Sequence, residues 1–393
     1  MRKGRENGLF SDFAILVDDE FQKDLFEKID AAQKRIYLQC MSFDGDVTGK
    51  SVAEKLIQAQ RRGVDVRLSI DCFTDLYVSD TYYRKKQVAQ EVRETRRIID
   101  DMRKNGIEIA RTRPYGPFHV FFLYRNHKKL IIIDDSVYIG GINISDHNFL
   151  WHDFMVRFNN AHLAHACTDD FKKTLQGVVQ HINLDGQLYT NNYVQQTFYE
   201  LIQEAREEII LSSPYSHGVH LFEALSPFSK NVRIRVLTLK RNNFRILNII
   251  SPYFFQALKK RRIELYCYKQ FSHAKFIIVD RKKVFFGSSN FGLDSLLCKE
   301  EIAVLVHDPA FVKEFYEKLY EKQQMNLEPH HEHSKSSAYV LGFAFSYCVH
   351  WGLLYIGKPL RVLAPLLKGE HLTWKTGFGA ALVTAGAILM SLR

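Results

Sequence analysis

No two cysteines in this chain are spaced as C-x-x-C, and no nearby histidines and cysteines have the spacing of a zinc site. The six cysteines stand far apart, at Cys40, Cys72, Cys167, Cys267, Cys298 and Cys348. That scatter argues against a disulfide framework and for reduced thiols facing a cytosol. Met1-Arg-Lys-Gly-Arg-Glu-Asn-Gly-Leu-Phe10 starts basic but has no apolar stretch behind it, so no signal peptide is expected. No acidic cluster suggests a magnesium site, and neither metal nor cofactor is expected.

What is present is ordinary in bulk. The 393 residues are 46% hydrophobic and 25% charged, enough for two domains or one large duplicated one. The net charge of +10 fits either general solvation or attraction to an anionic substrate. Phospholipid headgroups and nucleic acid would both suit it. The C-terminal part differs from the rest. Ala338 to Gly357 carries no formal charge, and Thr376 to Leu392 is a second, shorter uncharged run. About twenty apolar residues span a bilayer core, so the first run is expected to enter a membrane. The second could close a hairpin, with the segment between them in the interface. Lys358, Arg361, Lys368 and Lys375 lie in that segment. If both runs span, the positive-inside rule puts these residues in the cytoplasm and the main body opposite. The free cysteines and the expected lack of a signal peptide conflict with that placement; a re-entrant hairpin does not.

The body is a repeat. A helix-then-strand pattern at Phe26 to Gln39 returns at Leu201 to Ser212, and the strand Val64 to Ile70 returns at Asn231 to Thr238. Asn105-Gly-Ile-Glu-Ile109 is matched by Arg262-Ile-Glu-Leu-Tyr266. Each half then reaches H-x-K-x4-D followed by a Gly-rich turn and Asn. These are His127, Lys129, Asp134, Gly140 and Asn143, then His273, Lys275, Asp280, Gly287 and Asn290. The histidines, lysines and aspartates are each 146 positions apart, the asparagines 147. Alternating helices and strands predict α/β halves with largely parallel sheets. Leu130–Ile133 and Phe276–Val279 are apolar throughout and should be central strands. The expected division is 1–160 and 196–325 for the halves, 161–195 as connector, 326–337 as polar linker and 338–393 as the hydrophobic region. Tyr82 to Asn105 is expected to be a solvated helix.

A strand's period of two puts His127 and Lys129 on one face, as it does His273 and Lys275. Two imidazoles at one phosphate suit phosphoryl transfer through a covalent intermediate: one attacks phosphorus, the other protonates the leaving oxygen. Lys129, Lys275, Asn143 and Asn290 would hold the nonbridging oxygens, the lysines supplying the positive charge. Each imidazole needs a partner to fix its tautomer. Asp153 and Glu301, just past the Gly-Asn turns, are assigned that role, with Glu300 a possible substitute. Asp134 and Asp280 end their strands and are expected to be structural. His119, His147, His152, His217 and His220 have no matched partner and are read as ordinary. The cluster His330-His-Glu-His333 is read as linker.

These residues resemble the phospholipase D superfamily, defined by a duplicated H-x-K-x4-D, over roughly residues 12 to 322. Arg125-Asn126-His127-Lys-Lys129, Gly140-Gly-Ile-Asn-Ile-Ser-Asp146, Trp151-x-Asp153 and Asn290-Phe-Gly-Leu-Asp294-Ser295 are most similar to bacterial-type cardiolipin synthases. The resemblance implies two tandem, pseudo-twofold-related α/β/α domains with mixed, mostly parallel sheets, followed here by a hydrophobic helical segment. It also implies a phosphatidyl-enzyme intermediate, with His127 as nucleophile and His273 as general acid/base; the reverse keeps every other role. Implied partners are anionic phospholipids (phosphatidylglycerol, cardiolipin) and a membrane, the bacterial-type cytoplasmic membrane, rather than nucleic acid. One chain suffices for the site, so no oligomer is required. Three departures stand out. The first motif is one residue shorter between Asp134 and its glycines, Lys299 replaces the usual Asn before the acid, and the hydrophobic segments are C-terminal. Phosphatidyl transfer to an alcohol, forming cardiolipin and glycerol from two phosphatidylglycerols, is the leading expectation. Phospholipid hydrolysis, a membrane-tethered nuclease and a non-catalytic lipid-binding scaffold are the competing ones.

Overall fold

A computed structural model describes residues 9–75, 77–78, 81–82, 86–114, 124–216, 219–243 and 245–330, with Ala344 and Cys348 beyond them. The strands of the first half are β1 (Phe13–Val17), β2 (Arg35–Cys40), β3 (Asp65–Asp71), β6 (Glu108–Thr112), β7 (Leu130–Ile133), β8 (Ser136–Gly140) and β9 (Phe154–Asn159). A short ribbon of β4 (Tyr77–Val78) and β5 (Thr81–Tyr82) stands apart from them. The second half has β10 (Asn183–Leu184), β11 (Leu188–Thr190), β12 (Glu208–Ser212), β13 (Arg233–Leu239) and β14 (Glu264–Tyr268). It continues with β15 (Phe276–Val279), β16 (Lys283–Gly287), β17 (Ile302–Val306) and β18 (Leu327–Pro329). Helices α1 (Asp19–Ala31), α2 (Val47–Arg61), α3 (Lys86–Lys104), α4 (Asp146–Leu150) and α5 (Ala161–Leu175) belong to the first half. Helices α6 (Asn192–Glu204), α7 (Val219–Leu225), α8 (Arg245–Lys260), α9 (Leu293–Cys298) and α10 (Pro309–Tyr316) belong to the second.

The first sheet runs β1-β9-β8-β7-β2-β3-β6, and the second runs β10-β11-β17-β16-β15-β12-β13-β14-β18. Seven strands of the second sheet repeat the first in order, and β10 and β18 extend its edges. Both sheets are mixed, but the expected mostly parallel pairing is corrected. Only β2-β3-β6 and β12-β13-β14 are parallel, and every other neighbour pair in the two sheets is antiparallel. Parallel neighbours need a long crossover, which α2, α3, α7 and α8 provide. The motif strands β7 and β15 instead turn straight back into β8 and β16, and a tight hairpin can only be antiparallel. The missing residue of the first motif lies in this turn. Ile133 pairs with Ser136 across two residues, whereas Val279 pairs with Lys283 across three.

Strand β7 shows why the central strands are apolar throughout. Leu130 and Ile132 enter a core between the two sheets, while Ile131 and Ile133 enter a second core under α1, α2 and α3. Strand β15 divides likewise, Phe276 and Ile278 facing the shared core and Ile277 and Val279 the core under α6 to α8. The shared core is rich in phenylalanine: Phe315 packs edge-on to Phe154 and Phe276, with centroids 5.2 and 5.4 Å away. Burying a phenylalanine contributes about 1.5–3 kcal/mol.

Other boundaries shift. Residues 161–195 are more than a connector, because α5 packs on the first sheet and β10 and β11 join the second. Residues 327–329 form β18 against β14, so they belong to the second sheet, not to the linker. Helix α3 is not simply solvated. Val92, Thr95, Ile98, Ile99 and Met102 are buried along one face, an amphipathic stripe that interspersed charges hide. His119, His217 and residues 331–393, apart from the two noted, lie outside the described residues, including both uncharged C-terminal runs. Among the described residues, no helix is long and apolar enough to cross a membrane.

Lys128, between the two motif residues, points the other way. It is fully buried, and its Nζ lies 2.7 and 2.8 Å from the Asp170 carboxylate on α5. Asp170→Ala would strand a buried ammonium and is expected to cost about 3–5 kcal/mol, read as a lowered urea midpoint. Lys128→Met/Asp170→Leu should recover most of that loss.

Candidate active site

The two sheets are stitched together at the motif histidines. Asn126 forms a parallel bridge with Glu300, and His152 forms one with Ser272. His127 N–H donates to Glu300 O at 2.9 Å, and His273 N–H donates to His152 O at 2.8 Å. Each histidine therefore sits beside the start of a strand from the opposite half, where that half's acid is found.

The acids act across the interface. Glu301 of the second half holds His127 Nδ1 at 2.9 and 3.0 Å, and Asp153 of the first half holds His273 Nδ1 at 2.9 Å. Engaging Nδ1 leaves Nε2 of each ring for chemistry. Glu301 and Asp153 are each about 1% exposed, which excludes water that could compete for the ring. Ser288 Oγ donates to Glu301 and accepts from Ile302 N–H at 3.0 Å. The first half has Gly141 at the matching position, where a Cβ would lie 2.6 Å from both Asp153 oxygens. Gly140 and Gly287 are required by close approach, a Cβ there meeting Phe154 O at 2.3 Å and Ile302 O at 2.1 Å. Glu300 does not substitute for Glu301; it accepts from Asn126 Nδ2 at 3.0 Å.

Lys129 and Lys275 share the histidine face, as the strand period predicts. Lys129 Nζ donates to His127 O at 2.9 Å, and Lys275 Nζ donates to His273 O. Asn143 Oδ1 accepts from Met41 and Ser42 N–H at 3.2 and 3.4 Å, which directs its amide nitrogen away from that loop. Asn290 Oδ1 is buried without a hydrogen-bond partner among the described residues, and an amide flip would present its N–H2 instead.

Asp134 and Asp280 take structural positions, both in left-handed backbone at φ 51 and 52. Asp134 accepts from Gln33, Lys34 and Arg35 N–H at 2.8–3.0 Å; Asp280 accepts from Arg206, Glu207 and Glu208 N–H at 2.8–2.9 Å. Each ties its hairpin to the start of the neighbouring strand, β2 or β12, which runs antiparallel to the motif strand. These N–H groups outweigh partial burial and hold both carboxyls below their ordinary pKa.

The site is a crowd of buried cations. Burial, then Lys129, Lys299, Lys275 and His273, push His127 well below its ordinary pKa. Burial and Lys275 push His273 down to about 3, against the pull of Asp153. Lys129 falls to about 8 and Lys275 to about 7, chiefly through burial. Burial alone would raise Asp153, but Lys275, His273 and the Phe154 N–H keep it below the usual carboxylate range. Lys299, the departure from the family pattern, belongs to this field. An anion entering the site would restore the lost positive charge. Tungstate stays dianionic across the neutral range, and its affinity should fall as pH rises through about 7 to 8, where the lysines of the empty site lose protons. Calorimetry in buffers of different ionisation enthalpy should show proton uptake on binding above that range; pH-independent affinity would contradict the shifts.

Several residues here were given no role from the chain alone. Trp151 packs on Phe271, His147 and His273, with centroids 4.1, 4.6 and 5.5 Å away. His152, read as ordinary, places Nδ1 3.1 Å from Asp18. His220 bonds through Nε2 to Phe291 O at 2.7 Å, anchoring the loop after Asn290. The donor atoms of Asp44, Asp46 and His147 lie within 4.8 Å of one another and could hold a cation. Asp46 also caps α2 and accepts from Asp146 N–H at 2.6 Å.

A probable cardiolipin synthase, YwiE, of Bacillus subtilis (strain 168) is 23% identical over 78% of this chain and 66% of its own length. A cardiolipin synthase of Geobacillus sp. (strain WCH70) is 24% identical over 77% of this chain and 65% of its own. The chain thus spans slightly less than two thirds of these relatives. The crystal structure of phosphatidylserine synthase from Haemophilus influenzae Rd KW20 shares the fold, with a TM-score of 0.64 at 12% identity over 86% of this chain and 92% of that one. Matched over residues 25–175 and 198–322, one stretch in each half, the chain belongs to the phospholipase D-like family described as Cardiolipin synthase, PLD-like domain.

Proposed function

We propose that this protein is a phosphatidyltransferase that forms cardiolipin and glycerol from two phosphatidylglycerols through a phosphohistidine. The observation that carries the reading is the reciprocal grip: each motif histidine is held at Nδ1 by the acid of the other half. In this mechanism His127 Nε2 attacks phosphorus, the bond to the leaving glycerol oxygen breaks, and His273 donates its proton to that oxygen. Neutral His273 then takes a proton from the incoming hydroxyl. That oxygen attacks phosphorus, and the bond to His127 breaks. Both histidines start neutral when the site is empty, which suits the nucleophile. The acid must gain its proton as the anionic phosphodiester enters and offsets the surrounding cations. Lys129, Lys275, Asn143 and Asn290 hold the nonbridging oxygens. Asp153 and Glu301 keep the rings in register.

The names of the relatives and the two uncharged C-terminal runs support a membrane-bound diacyl substrate. Anionic phospholipids are the partners and the bacterial-type cytoplasmic membrane the location; the two catalytic halves meet between the end of α5 at Leu175 and the start of β10 at Asn183. Purified full-length protein, given phosphatidylglycerol vesicles without added metal, should release cardiolipin and glycerol in equal amounts. Phosphatidic acid in place of cardiolipin would reassign the enzyme to hydrolysis. No lipid product, with cleavage of plasmid DNA at low salt, would overturn the proposal.

A further inference from the structure

We propose that Asp18 and Asn191 are a matched pair of positioning residues, one in each half, that clasp the backbone of the acid orienting each histidine. Asp18 follows β1 and Asn191 follows β11, strands with the same place in their sheets. The last paired residues are Val17 with Phe154 and Thr190 with Ile302. One step further along each ladder stands an orienting acid. Asp18 N–H donates to Asp153 O at 3.1 Å, and Asp18 Oδ1 accepts from Asp153 N–H at 3.2 Å. Asn191 N–H donates to Glu301 O at 2.9 Å, and Asn191 Oδ1 accepts from Glu301 N–H at 3.0 Å. Both backbone groups of each acid are therefore held by a single residue, one by its main chain and one by its side chain.

The backbone at these positions points to selection for the side chain. Asp18 has φ 54 and ψ −120, and Asn191 has φ 57 and ψ −113. Glycine adopts this region freely; residues with a Cβ do so only under strain. Each residue also occupies the N-cap position of the following helix, yet neither side chain caps it. A turn alone would favour glycine, and a cap would aim the oxygen at the helix. Keeping a strained Asp and a strained Asn in the two halves, both turned away from the helix, fits a demand for an acceptor at the acid's N–H. A carboxylate displaced by a fraction of an ångström no longer aligns the imidazole. The two clasps differ in reach. Asp18 also lies 3.1 Å from His152 Nδ1, and the carbonyl of His152 receives the His273 N–H. Asn191 Nδ2 instead donates to Gln180 O at 2.7 Å.

The test uses the full chain with Asp18→Gly, Asn191→Gly, Asp18→Asn and Asn191→Asp. Its turnover arm rests on the phosphatidyl transfer proposed above; its spectroscopic arm does not. Because glycine relieves the strain, both glycine variants should melt at or above the wild-type temperature. Their kcat should nonetheless fall about 10²-fold with KM little changed. With histidine-selective nitrogen labelling, Asn191→Gly should shift or broaden only the His127 Nδ1–H proton, and Asp18→Gly only that of His273. The Asn and Asp variants retain the acceptor and should recover most of the turnover and the signals. Unshifted signals and full kcat in the glycine variants would overturn the proposal. So would glycine variants that melt lower or fail to fold, since they would show a structural role. Shifted signals in a protein without transferase activity would uphold the clasp and reject the transferase reading.

Discussion

Alanine at His127 or at His273 is expected to lower transfer from phosphatidylglycerol by at least about 10²–10⁴-fold. The two losses should differ in kind. With His127 gone there is no nitrogen to take the phosphatidyl group, so a labelled donor should leave no label on the protein. With His273 gone the attacking ring remains, but a poor leaving group departs unprotonated. A donor with a good leaving group should then bypass the lost acid and let label accumulate on His127. The opposite pattern would exchange the two roles and leave the rest of the mechanism intact. Wild-type turnover in either variant would remove the basis for a shared site.

Glu301→Gln and Asp153→Asn are expected to be nearly as damaging, on the order of 10³–10⁴-fold, as when the orienting carboxylate of a catalytic triad is made an amide. An amide can present its N–H2 to Nδ1, which favours the wrong tautomer and places the proton on Nε2, the nitrogen that would attack in His127 and take the acceptor's proton in His273. The crossed geometry makes the prediction specific. Glu301→Gln should add little to His127→Ala, and Asp153→Asn should add little to His273→Ala, because each pair acts as a unit. If Asp153→Asn were instead silent only in a His127→Ala background, the pairing within halves that chain order suggests would be the working one. Thermal midpoints separate these losses from unfolding, since both acids are buried and bonded on several sides.

Much of the fold was legible for a simple reason. Central strands covered on both faces must be apolar at every position, so Leu130–Ile133 and Phe276–Val279 announce themselves. The H-x-K spacing works in the same way: a period of two leaves Lys128 facing α5 while its neighbours face the site. The direction of strand pairing was less legible. Periodicity is the same in parallel and antiparallel strands, so it did not show that the hairpins at Asp134 and Asp280 turn β8 and β16 back antiparallel to β7 and β15. Helix α3 was obscured because charged residues on its outer face dominate its composition, while the buried stripe is spaced around a helix, not along the chain.

The chain alone named the chemical groups of the candidate site. Two imidazoles, two ammonium groups, two amides and two carboxylates recur at nearly constant separation, and duplication of that kind is visible in one dimension. Who partners whom was settled by the packing of one sheet against the other. Asp153 is 26 residues from His127 and Glu301 is 28 from His273, yet each acid serves the more distant ring, 120 and 174 positions away. Distance along a chain carries no record of which strand starts lie edge to edge across an interface. For the same reason Asp18 and Asn191, unremarkable in composition, gain their meaning from an antiparallel ladder that brings each beside an acid far along the chain.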